Sequence, residues 1–197
     1  PSGGARRAGA SPRAARRRGR APQQATLAAF ATHRPQRLAL RPMTEADFPA
    51  YAALLASPRS GGFGGPLSRK QAWGLFCHDI ACWSLYGHGG LMIDRRTDGL
   101  CIGQVGISHG PLFPEKELGW LLYEGNEGQG YATEAARSLR DWAAQALGVS
   151  ELVSYIAPDN AASVAVAERL GAVRDLVADR PDPNDLVYRH RLTTAPR

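Results

Sequence analysis

Apolar and polar positions alternate along most of the chain with recognisable periods, and the period changes at glycine or proline. Arg37-Leu38-Ala39-Leu40-Arg41 alternates as a short strand that Pro42 ends. Thr44, with Asp47 three residues on, has the form of a capping box, and its helix runs to about Ala56, before Ser57-Pro58. Residues 57–68 hold Gly61, Gly62, Gly64 and Gly65 around Phe63 and read as a loop. Such a loop either shapes a pocket or folds Phe63 back as a plug. Ser68 caps a second helix over 69–83, whose expected core face is Trp73, Phe76, Cys77 and Ile80. Residues 90–94 and 100–107 form a hairpin around Thr97-Asp98-Gly99. A strand over 117–123 then leads into a helix over 128–147, with Ala132, Ala135, Ala136, Leu139, Trp142, Ala143 and Ala146 as its apolar stripe. A buried strand over 152–157, a helix over 161–170 capped by Asn160, and two strands over 173–178 and 186–192 complete the chain. This order predicts one α/β domain with a sheet of mixed direction.

Composition changes that picture only at the N-terminus. The 197 residues suffice for one well-buried domain. The net charge is +6, but residues 1–44 hold ten arginines and the first acidic residue is Glu45. The remaining 14 basic residues face 18 acidic ones, so residues 45–197 carry −4. We therefore expect a disordered Arg-rich extension over 1–35 and a mildly acidic folded domain over 36–193, which argues against nucleic acid as a partner. Cys77, Cys82 and Cys101 match neither a disulfide framework nor a metal motif and suggest buried free thiols in a reducing cytoplasm; no metal is expected. The apolar run over 75–83 is broken by His78 and Asp79, so no membrane span is expected.

The chemistry concentrates in Gly125-Asn126-Glu127-Gly128-Gln129-Gly130-Tyr131-Ala132-Thr133-Glu134. A strand feeds a glycine-rich turn that opens directly into a helix, where free N–H groups and the helix dipole favour an anion. The turn lacks the Gly-Lys-Ser/Thr of a nucleotide-triphosphate loop, and its Gly-x-x-Gly-x-Gly order is not the dinucleotide fingerprint. It suits a pyrophosphate held without lysine or metal. Gly128-Gln129-Gly130-Tyr131-Ala132-Thr133-Glu134-Ala135 resembles the acetyl-CoA pyrophosphate loop of the GNAT superfamily, particularly its RimJ/RimL-like branch. Asn160-Ala161-Ala162-Ser163, continuing to Glu168-Arg169-Leu170-Gly171-Ala172, resembles its second signature.

The resemblance implies a GNAT-like, mainly antiparallel sheet whose two central parallel strands splay apart, flanked by helices. It also implies acetyl-CoA as cosubstrate and a primary amine, either a protein N-terminus or a small molecule, as acceptor. The backbone of Trp120, Leu121 and Leu122 would pair with the pantetheine arm, and the Leu122 N–H would steady the oxyanion. Gly128, Gln129, Gly130, Tyr131, Ala132 and Thr133 would hold the pyrophosphate, and the Asn160 side chain would reach a pantetheine amide. Glu117 stands where RimL-like members carry a glutamate base, and Ser163 where they place a serine acid. Two departures stand out: Gly125 replaces the usual Arg or Gln, a contact Gln129 could supply, and Ala167 replaces the tyrosine acid of many members. Without that tyrosine, the thiolate is protonated by Ser163 or by water. A homodimer is among the assemblies the resemblance allows. The competing reading is a non-catalytic acyl-CoA-binding module of the same fold.

Overall fold

A computed structural model describes residues 35–193. The expected disorder over 1–35 falls, but for its last residue, outside the described residues. Seven strands form one sheet in the order β1-β2-β3-β4-β5-β7-β6. They are β1 (Leu38–Pro42), β2 (Gly90–Arg95), β3 (Cys101–Ser108), β4 (Glu117–Leu122), β5 (Glu151–Ile156), β6 (Val173–Asp175) and β7 (Leu186–Arg191). Every neighbouring pair is antiparallel except β4 and β5, which run parallel. This is the mixed, mainly antiparallel α/β sheet the resemblance implied.

Among the described residues four α-helices cover its faces: α1 (Phe48–Leu55), α2 (Arg69–Tyr86), α3 (Tyr131–Leu147) and α4 (Ala161–Arg169). On one face α3 buries Tyr131, Ala135, Leu139 and Trp142 against Ile93, Val105 and Leu118. Its small side chains allow that close approach, as the predicted stripe requires; only Ala146 of the stripe remains exposed. On the other face Phe48, Tyr51, Leu55 and Phe76 of α1 and α2 pack on Met92 and Leu121.

Three details correct the sequence reading. The expected loop over 57–68 contains a 3-10 segment, Pro58–Phe63, started by the Ser57 hydroxyl accepting from Arg59 N and ended by Gly64 at φ 69°. On α2 the buried side is Ala72, Phe76, Asp79, Cys82 and Trp83, while Trp73, Cys77 and Ile80 are exposed. The face is rotated because a carboxylate, Asp79, occupies a core position. Of the three free thiols only Cys82 is buried; Cys101 is half-buried and Cys77 exposed.

Candidate active site

The backbones of the parallel pair at the centre of the sheet are paired at one place. Glu117 pairs with Val153, Val153 N donates to the Lys116 carbonyl, and beyond that the strands separate. Inside the opening the Ser154 hydroxyl donates to the Leu118 carbonyl at 2.6 Å and contacts His190 Nε2 at 3.0 Å. Since the serine proton goes to the carbonyl, the imidazole must donate from Nε2. Burial keeps His190 neutral, its pKa depressed to about 4, with the charge of Arg140 adding to the effect.

The separated strands open onto a cleft of about 1540 Å³. It is lined by Trp120, Leu121 and Leu122, by the turn 127–133 and by Asn160 and Ser163 at the start of α4. The 3-10 segment forms the opposite wall, with Gly62 close to Asn160 Nδ2. Arg59, from that segment, donates to the Leu122 carbonyl at 3.1 Å and pairs with Glu127, so it bridges the cleft.

The turn has the predicted form, although α3 starts at Tyr131 rather than at residue 128. Gly125, Gly128 and Gly130 have φ of 82°, 75° and 79°, a region costly for any residue with a Cβ. The Cβ directions of Gly125 and Gly128 meet nothing within 4 Å. The first helical hydrogen bond is Glu134 N to the Gly130 carbonyl, so the N–H groups of Tyr131, Ala132 and Thr133 have no partner within the helix. Thr133 adds a buried hydroxyl with no partner among the described residues. Donors without acceptors on an open glycine turn fit a pyrophosphate. At the other end Asn160 Oδ1 caps α4 by accepting from Ser163 N at 3.0 Å, as its sequence position predicted.

The cleft therefore gathers Trp120, Leu121, Leu122, Gly128, Gln129, Gly130, Tyr131, Ala132, Thr133, Asn160 and Ser163. Glu117 is not on its wall. It lies opposite Ser108 at the start of β4 and shares the face of Leu121, which packs on α1 and α2. Between them on that face Gly119 points into open space, with no atom within 4 Å of its Cβ direction. Glu117 retains some exposure as a residue, yet burial of its carboxyl, then the charges of Asp79 and Asp185, push its pKa up to about 8; the Tyr155 N–H opposes the shift. Asp79 is itself pushed up to about 7 by burial, against hydrogen bonds from Gln104 Nε2 at 2.8 Å and Tyr51. No local pattern brings Asp79 or Arg59 to this centre, because each arrives from an element distant in the chain.

A splayed parallel pair joined to a glycine turn at a helix start defines the class of coenzyme A-dependent acyltransferases. The comparisons agree. A family profile described as an acetyltransferase (GNAT) domain matches residues 37–173. The chain is 61% identical to an acetyltransferase from Agrobacterium tumefaciens strain C58, over 81% of this chain and 93% of that one, with a TM-score of 0.79. It shares its fold with RimL, a ribosomal L7/L12 α-N-protein acetyltransferase solved in complex with coenzyme A; there the identity is 19%, the coverage 80% and 95%, and the TM-score 0.60. An uncharacterised protein of Bacillus subtilis strain 168, YkkB, is 35% identical over 80 residues, 40% of this chain but only 46% of its own length. This chain belongs to the GNAT acetyltransferase family. No helix among the described residues is long and apolar enough to cross a membrane.

Proposed function

We propose that the protein transfers an acetyl group from acetyl-CoA to a primary amine by direct attack in a ternary complex. The observation that carries this reading is the parallel strand pair that parts after Glu117 and Val153 and opens onto a cleft ending at the glycine turn. Backbone groups of Trp120, Leu121 and Leu122 pair with the pantetheine arm like an added strand. The turn and the first N–H groups of α3 receive the pyrophosphate. Asn160 keeps α4 in place through Oδ1 and offers Nδ2 to the arm.

The acceptor arrives from the α1–α2 face, over the open space at Gly119. Glu117 removes a proton from the ammonium group, and the neutral nitrogen attacks the thioester carbonyl. The C–N bond forms, the Leu122 N–H steadies the oxyanion, and the C–S bond breaks. As the C–S bond breaks, the nitrogen releases its second proton to water. The thiolate takes its proton from the Ser163 hydroxyl, which regains one from water, or from water directly. A base with a pKa of about 8 suits this task better than an ordinary carboxylate, because its conjugate acid is closer in strength to an ammonium ion. The acceptor is the N-terminus of a protein or a small amine.

One observation favours the binding-only alternative: Glu117 does not line the cleft. The test is thiol release from acetyl-CoA with a panel of small amines and peptides bearing free N-termini. Turnover that falls by about 10²-fold or more in Glu117→Gln, at matched coenzyme occupancy, supports the enzyme reading. Coenzyme binding with no turnover on any acceptor sinks it in favour of the binding module.

A further inference from the structure

The turn that receives the pyrophosphate lacks a charged side chain of its own, because Gly125 stands where the family resemblance places Arg or Gln. A guanidinium nevertheless stands beside it. Arg37, the residue just before β1, lines the same cleft as Gly128–Gly130. Three contacts fix it. Its backbone N–H donates to Glu134 Oε1 at 2.7 Å, its Nε to Glu134 Oε2 at 2.7 Å, and its Nη1 to the Gln129 carbonyl at 2.9 Å. The guanidinium also lies 4.8 Å above the Tyr131 ring. Glu134, in the first turn of α3, thus spends both carboxylate oxygens on holding one arginine.

Among the described residues Nη2 has no hydrogen-bond partner. It points at the turn, 3.5 Å from where a Cβ on Gly130 would be. An arginine held this way has already lost its rotamer freedom, so the fork it presents to an anion costs little more to use. The other guanidinium at this end, Arg59, is committed to Glu127 and the Leu122 carbonyl. Arg137 also lines the cleft but lies six residues along α3 from Tyr131, about 9 Å farther by helical rise.

We propose that Arg37 contacts the pyrophosphate of the coenzyme and takes the place of the side chain missing at Gly125, with Glu134 positioning it. This rests on the coenzyme reading above. The donors suit an anion such as a diphosphate: Arg37, Tyr131, Ala132 and Thr133 line the same cleft.

The experiment is calorimetric titration of wild type, Arg37→Met, Arg37→Lys and Glu134→Gln with coenzyme A and, separately, with pantetheine, which lacks the diphosphate. We expect Arg37→Met to weaken coenzyme A binding about 10- to 100-fold, as for loss of a charge-assisted contact, with pantetheine binding unchanged. Arg37→Lys should recover part of the loss. Glu134→Gln separates contact from scaffold. If Arg37 touches phosphate, Glu134→Gln only loosens its placement and costs clearly less coenzyme affinity than Arg37→Met; if the Arg37–Glu134 pair only braces the turn, both variants lose affinity alike. Equal losses in those two variants, or equal losses for coenzyme A and pantetheine, overturn the proposal. A wild type that binds coenzyme A, with an Arg37→Met variant that binds it as well, overturns this inference and leaves the coenzyme reading intact. A wild type that does not bind coenzyme A at all overturns both.

Discussion

Replacing Glu117 with Gln should stabilise the protein in alkali while removing its activity. The carboxyl titrates at about 8 in the fold against 4.5 for an ordinary glutamate, chiefly because burial disfavours its charge. A folded-state pKa raised in this way contributes stability that is complete below pH 4.5 and is lost as pH rises through 8. At about 1.4 kcal/mol per pH unit, the gap from 4.5 to 8 sets a ceiling of about 5 kcal/mol. Water entry and relaxation around the charged form reduce this, and we expect about 1–3 kcal/mol to be measurable. Glutamine has nearly the same shape and is never charged, so the two proteins should match at pH 5 and separate at pH 9, with the variant more stable. Urea unfolding of both proteins at both pH values measures this, provided the slopes agree. Every other titrating group is common to the pair, so the change in their difference belongs to Glu117 and its neighbours. A gap that is the same at pH 5 and pH 9 would refute the claim that this carboxyl is held at a raised pKa. It would also remove the electrostatic argument for Glu117 as a base.

Three further outcomes test other parts of the site. Gly119→Val fills the open space beside Glu117; steady-state kinetics should show a raised acceptor KM with coenzyme affinity unchanged. Gly130→Ala forces a Cβ into φ 79° and should cost about 1–2 kcal/mol in urea unfolding, with weaker coenzyme binding by calorimetry. Ser154→Ala leaves the Leu118 carbonyl and the His190 Nε2–H without partners; we expect about 1–3 kcal/mol of destabilisation at pH 7.

The glycine turn and both helices that follow the central strands were legible because their information is local. Three glycines must take positive φ, Asn160 must cap, and an alanine stripe must meet a sheet. The parting of β4 and β5 came only through family resemblance, since no period in either strand distinguishes a paired edge from a separated one. Two readings failed where local rules were overridden. The 3-10 segment over Pro58–Phe63 is rich in glycine and has no helical period; it exists because Ser57 and Pro58 start it. On α2 the apolar pattern suggested Trp73 and Ile80, yet Asp79 takes the buried place through its hydrogen bond with Gln104. Arg37 and Glu134 are 97 residues apart, and nothing in either neighbourhood announces the other.

The parting of β4 from β5 also puts two unfinished sheet edges in the middle of a protein, where they invite any extended chain to add itself. Two side chains blunt that hazard: the Ser154 hydroxyl occupies the Leu118 carbonyl and Arg59 occupies that of Leu122. The first lies inside the sheet next to His190. The second reaches in from the 3-10 segment, so the edge at Leu122 is covered by a side chain that Glu127 also holds. The cell's coenzyme pool then acts on this protein as a folding partner as well as a reagent. Ligand at a hundred times its dissociation constant would add about 2.7 kcal/mol of stability while closing the seam to other strands. Protein prepared without coenzyme should accordingly aggregate sooner than protein kept saturated with it.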